Sequence, residues 1–185
     1  MIPLALDPTA LPIAIAGRGD AALRRLRLLR GAGADPALYS DAPEPALAAV
    51  AGGALRHGLP DAAALGSVRV LWIADLPDPL AASLAAAARA RGVLVNVEDR
   101  PALCDFHSMA EVRRGALLLG ISTGGRSPGL AARIRARLAA EFGPEWAARV
   151  EAIGARRRSW RSAGRSMKEL TALTDRAIDR AGWLS

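Results

Sequence analysis

An apolar run from Leu11 to Ala16 ends in Gly17-Arg18-Gly19-Asp20-Ala21-Ala22, and Leu23, Leu26 and Leu29 follow at every third position. A short buried strand, a tight turn and an amphipathic helix in that order leave few folds open to the chain. The turn has glycine at its first and third positions and alanine at its sixth. Gly17 allows the sharp turn, Gly19 lets an anionic group approach the backbone, and Ala22 is small enough for the helix to lie against the sheet. The helix opening at Asp20 would offer free N–H groups and a positive dipole end to that anion. The same letters include Arg18-Gly19-Asp20, the tripeptide of adhesion ligands. That motif needs an exposed loop in a secreted chain, whereas this one is flanked by a buried strand.

The pattern then repeats. The helix runs over 20–30, with Leu28 widening its stripe, and stops at Gly31-Ala32-Gly33. A strand over 37–40, a helix over 43–51 begun at Pro45, and a short edge strand over 54–57 come next. Val68 to Ala74 is the clearest strand, followed by an Ala-rich helix over 79–91 and a strand over 93–97. Such alternation signals a parallel sheet with helices on its faces, an α/β Rossmann-like domain. Composition then changes. A strand over 117–121 leads through Ser122-Thr123-Gly124-Gly125-Arg126-Ser127-Pro128 into a helix over 129–142, with Ser127 as N-cap and Pro128 at the first helical position. The remainder reads as helical. The organisation expected is a nucleotide-binding domain over 1–112, a strand-plus-helix segment over 113–143 and a small helical domain over 144–185.

Hydrophobic residues make up 51% of the 185, enough for a sizeable core, and the net charge of +7 favours anionic partners. The positive charge is almost all arginine, with Lys168 the single lysine, and arginine grips carboxylates and phosphates bidentately. Cys104 is the sole cysteine, so no intrachain disulfide forms. No stretch reaches the roughly 20 apolar residues of a membrane span. The first residues lack a basic region ahead of an apolar one, so the cytoplasm is the expected compartment and no membrane partner is expected.

Asp41 lies about 20 residues beyond the turn, where an acid binds a free ribose 2′-hydroxyl, which favours NAD over NADP; a solvated loop aspartate is the competing reading. Glu98 and Asp99 follow the last parallel strand, at the sheet edge where ligands of such folds sit, and only one of them can face the site. A carboxylate there can take a proton from a substrate. Cys104 and His107 are three apart but have no second pair, so a metal site is not expected and packing is the favoured reading of His107. His57 has no companions.

Three segments resemble one family. Residues 17–34, G-R-G-D-A-A-L-R-R-L-R-L-L-R-G-A-G-A, resemble the G-G-G-x-V-A-x-R-K-x-x-x-L-L-x-A-G-A opening of the precorrin-2 dehydrogenases, the dehydrogenase/chelatase module of sirohaem synthase. Residues 95–106, V-N-V-E-D-R-P-A-L-C-D-F, resemble its N-V-V-D segment, and I-S-T-G-G-R-S-P with the helix after it resembles its serine-rich loop. The resemblance implies NAD-dependent oxidation of precorrin-2 to sirohydrochlorin in a homodimer. It leaves open ferrochelatase activity with Fe²⁺ as co-substrate. It makes residues 113–143 a dimerisation segment and Asp99 the general base. It puts Gly17, Arg18, Gly19, Asp20, Ala22, Asp41, Ala74 and Asp75 around the cofactor. It puts Asn96, His107, Ser122, Thr123, Gly124, Gly125 and Ser127 toward the tetrapyrrole. Two departures stand out: Arg18 replaces the middle glycine, and Asp75 replaces a small hydroxyl residue.

Two rival classes remain. One is a non-catalytic dinucleotide sensor or tetrapyrrole carrier on the same fold. The other is nucleic-acid binding through Arg156-Arg157-Arg158-Ser159-Trp160-Arg161, for which a solvated, packing helix face is preferred.

Overall fold

A computed structural model describes residues 2–184, and the chain divides after Ser108 into two compact units. The first carries five parallel strands, β1 (Ile13–Gly17), β2 (Ala37–Ser40), β3 (Leu55–His57), β4 (Val70–Ala74) and β5 (Leu94–Val97), in the order β3-β2-β1-β4-β5. Between them run α1 (Gly19–Gly31), α2 (Pro45–Ala51), α3 (Ala62–Gly66) and α4 (Asp78–Arg89). This is the doubly wound Rossmann arrangement, with the reversal of strand order between β1 and β4.

The two faces follow from strand alternation. Ile13, Ile15, Val70 and Trp72 pack with Leu23, Leu26 and Leu29 of α1 and Leu47 of α2. Ala14, Ala16, Leu71, Ile73, Val95 and Val97 pack with Ala81, Leu84, Ala85 and Ala88 of α4. The alanines of α4 let that helix lie close to its face. Leu28 does not join the stripe of α1. It is 48% exposed, because it stands off the Leu23-Leu26-Leu29 row.

The second unit holds a hairpin of β6 (Ala110–Arg114) and β7 (Leu117–Ile121), then α5 (Pro128–Glu141), α6 (Trp146–Ser162) and α7 (Met167–Ala181). Strand β6 carries no clear sequence signal, since Val112 is its one buried residue. It forms because Gly115, at φ +57°, turns the chain back to pair with β7. Strand β6 pairs with β7 and, among the described residues, with no strand of the large sheet, and both lie in the second compact unit. The guanidinium of Arg114 donates to the carbonyls of Ala139 (3.0 Å) and Phe142 (2.8 Å), satisfying the end of α5. Ser166 and Glu169 form a capping box at the start of α7, and hydrogen bonds from Ser166 hold the Glu169 carboxyl below its ordinary range. Among the described residues no helix is long and apolar enough to cross a membrane.

The free edge of β5 is covered by the chain's own return. Asp105 donates its N–H to the carbonyl of Val95 (2.8 Å) and accepts from the Val95 N–H (2.8 Å) through its carboxylate. Arg89 holds the other carboxylate oxygen at 2.8 Å. Asp105→Ala orphans the N–H of fully buried Val95. We expect a loss of about 1–3 kcal/mol in denaturant unfolding, and an unchanged midpoint would show that this edge contact carries no stability.

Candidate functional site at the carboxyl edge of the sheet

The turn after β1 is shaped first by its neighbour strand. Gly17 pairs with Ala74, and a Cβ on Gly17 would run into the Ala74 carbonyl. Arg18 donates its N–H to that same oxygen at 3.2 Å. Gly19 has φ +53°, the left-handed region that favours glycine, and a Cβ there would lie 3.1 Å from a carboxylate oxygen of Asp75. Helix α1 starts at Gly19 with no side-chain cap, so its first amides have no acceptor inside the helix. Asp20 is exposed in that first turn, and Ala22 is fully buried against the sheet. Open backbone and uncapped amides at the strand-order reversal fit the pyrophosphate of a dinucleotide.

Register then aligns four charged residues. Tyr39, Ala16, Ile73 and Val97 are level across β2, β1, β4 and β5. Two residues further along each strand stand Asp41, Arg18, Asp75 and Asp99. The row lies just past the carboxyl ends of the strands, where open α/β sheets bind ligands. Asp75 (φ +54°) and Asp99 (φ +59°) are the non-glycine residues with positive φ among those described. Aspartate tolerates this region better than most residues, and such outliers cluster at functional sites.

At one end of the row, Arg18 grips Asp41 with both arms of a fork. Nε donates to Oδ1 at 2.8 Å and Nη2 to Oδ2 at 2.6 Å. These hydrogen bonds hold the Asp41 carboxyl below its ordinary range and raise the Arg18 guanidinium further. The two residues are 23 apart in sequence, and no local motif marks them as partners. The signal was the register: neighbouring parallel strands that end together bring their following residues together.

At the other end, Asp99 is exposed and its carboxylate has no hydrogen-bond partner among the described residues. Its backbone is held from several directions. The N–H of Glu98 donates to Ile73 at 2.9 Å, and Arg100 donates to the Leu76 carbonyl at 3.1 Å and to the carboxylate of Asp78. The N–H of Val97 donates to the sulfur of Cys104 at 3.2 Å. Glu98 lies 3.7 Å from the Arg24 guanidinium.

Asn96 is buried, and its amide donates to the Phe106 carbonyl at 2.8 Å. It anchors the segment after Asp99, and that amide does not project from the edge of the sheet. Cys104 is likewise a tie of this turn. His107 is exposed, and no group of three or more metal-ligating side chains exists among the described residues. Burial lowers the Arg25 guanidinium, which bonds Ser108 at 2.9 Å and lies over the Trp72 ring.

The serine-rich loop belongs to the second unit. Gly124 and Gly125 are both left-handed, at φ +65° and +78°. Thr123 Oγ1 accepts from the Ser127 N–H at 3.2 Å, Ser122 Oγ accepts from Gly124 at 3.2 Å, and Ser127 caps α5 through Leu130. The hydroxyls therefore shape the loop. On α6, Arg156 and Trp160 line an open groove with Leu173, Arg176 and Arg180 of α7, so the aromatic faces its neighbour helix.

Residues 4–110 match a family model described as NAD(P)-binding, and residues 114–141 match the central region of a sirohaem biosynthesis protein. The chain is 36% identical over 140 residues to the siroheme synthase of Methylococcus capsulatus, covering 74% of this chain and 30% of that one. It is 42% identical over 132 residues to the siroheme synthase of Pseudomonas entomophila, covering 68% and 28%. The chain thus spans less than a third of the length of these relatives. The solved structure of SirC, precorrin-2 dehydrogenase, shares the fold with a TM-score of 0.78 at 22% identity, covering 100% of this chain and 93% of that one. The chain belongs to the NAD(P)-binding family.

Proposed function

We propose that the chain oxidises precorrin-2 to sirohydrochlorin with NAD⁺. The observation that carries this reading is the row of charged residues at the strand-order reversal, with a carboxylate at one end that has no hydrogen-bond partner among the described residues. NAD⁺ supplies the hydride acceptor. Gly17 and Gly19 leave room for its pyrophosphate, and the first amides of α1, from Gly19 and Asp20 on, bind it. Ala22 keeps that helix close to the sheet. Asp41, with the Arg18 guanidinium on its carboxylate, would stand at the ribose of the adenosine half, and Ala74 and Asp75 would flank the nicotinamide half. As hydride leaves the substrate, Asp99 accepts the accompanying proton. Asp99 is suited to this because its backbone is fixed while its oxygens are uncommitted. Asn96 contributes by holding the turn. His107 and the loop residues Ser122, Thr123, Gly124, Gly125 and Ser127 offer polar groups to the substrate's carboxylates, as does the arginine-rich surface. The protein acts as a cytoplasmic homodimer in this reading, with residues 113–143 at the dimer contact.

A second activity is favoured by the same free carboxylate. Insertion of Fe²⁺ into sirohydrochlorin releases pyrrole protons, and Asp99 can accept them. Iron is then a substrate.

Purified protein mixed anaerobically with precorrin-2 and NAD⁺ is expected to form one NADH per sirohydrochlorin; no NADH would end the dehydrogenase reading and leave a sensor or carrier. Adding Fe²⁺ should make sirohaem appear faster than without protein. Asp99→Asn keeps the left-handed turn, since asparagine also tolerates it. It should lower kcat about 100-fold or more with NAD⁺ affinity retained, whereas wild-type turnover would remove Asp99 from the chemistry.

A further inference from the structure

Arg18 departs from the glycine of the family pattern, and the structure places its side chain on the acid that would contact the adenosine ribose. We propose that Arg18 sets the cofactor specificity of this chain: by holding Asp41, it lets the site accept a ribose 2′-phosphate, so that NADP⁺ binds alongside NAD⁺. The inference rests on reading the row as a dinucleotide site and refines which dinucleotide enters.

A lone aspartate after β2 excludes NADP⁺ for two reasons. Its carboxylate accepts the 2′-hydroxyl, and its charge repels the phosphate that replaces it. Neither condition holds here in simple form. Both Asp41 oxygens already accept from Arg18, at 2.8 and 2.6 Å. The pair is joined at hydrogen-bond distance, so the negative charge reaches an incoming ribose largely balanced. The fork uses Nε and Nη2, and Nη1 makes no hydrogen bond among the described residues. Three N–H donors on a delocalised cation therefore remain for phosphate oxygens, two on Nη1 and one on Nη2, the geometry for which arginine is suited.

The pair is also accessible. The Arg18 side chain is 30% exposed and that of Asp41 is 32% exposed, so a ligand can reach both. The backbone of Arg18 is fixed independently. Its N–H bonds Ala74 and its carbonyl accepts from Ala22, both at 3.2 Å. The side chain thus extends from a rigid base immediately before Gly19, while its tip can shift from Asp41 to a phosphate. Two further acids, Asp75 and Glu44, lie beside Gly19, so the balancing cation is needed at this turn.

Calorimetric titration of the purified chain with NAD⁺ and NADP⁺, without substrate, tests the inference. Wild type is expected to bind both, with dissociation constants within about tenfold of each other, and higher salt should weaken NADP⁺ more. Arg18→Gly should shift the NADP⁺/NAD⁺ ratio of dissociation constants by about tenfold or more toward NAD⁺, the loss expected for one charge-assisted hydrogen bond to phosphate. Arg18→Lys, which keeps the charge without the fork, should recover part of that shift. A wild type that binds NAD⁺ and rejects NADP⁺, or a ratio unmoved in Arg18→Gly, overturns the inference and leaves the NAD⁺ reading standing. Failure of both dinucleotides to bind wild type removes the dinucleotide reading and the inference with it.

Discussion

The parallel register of the central strands is the constraint on which the site depends. Strand β1 pairs on both sides, with β2 and with β4, and β4 passes the alignment on to β5. Residues that follow the strands at equal distance therefore stand side by side, although they come from four separate parts of the chain. A slip of one residue in any strand would turn its buried side chains to the wrong face. The hydrophobic clusters on the two faces thus lock the register, and the register locks Asp41, Arg18, Asp75 and Asp99 into a row.

The electrostatics of that row are uneven. Three of its four members are acids, in a chain whose net charge is +7. Acids alone would repel a pyrophosphate. Within the row the opposing charge comes from Arg18, and beside it from the uncapped start of α1. Arg18 is committed to Asp41 at the β2 side, and among the described residues the carboxylate of Asp99, at the β5 side, has no hydrogen-bond partner. The two ends are therefore chemically distinct, one an ion pair and one a carboxylate without a hydrogen-bond partner among the described residues. The left-handed backbone at Asp75 and Asp99 is held by the surrounding turns, through Glu98, Arg100 and Cys104.

Much of the fold was legible because its signals are local. The apolar runs of β1 and β4 and the Leu23-Leu26-Leu29 stripe reflect burial directly. Strand β6 was not legible, because Ala110–Arg114 buries one side chain and depends on a partner strand. At the site, the Gly17-x-Gly19-x-x-Ala22 spacing pointed to the turn. The structure adds that Gly17 answers to the Ala74 carbonyl, whereas Gly19 opens toward Asp75. The grip of Arg18 on Asp41 was beyond local reading, since it depends on which strands are neighbours. The inward turn of Asn96 depends likewise on where the chain goes after Asp99.

In the proposed reading one dinucleotide lies along this row. A crystal structure of the chain with NAD⁺ bound tests it most directly. The pyrophosphate is expected over Gly17 to Gly19, the adenosine ribose at Arg18 and Asp41, and the nicotinamide toward Asp75 and Asp99. A dinucleotide bound in the reverse direction, or away from the carboxyl edge of the sheet, would contradict it.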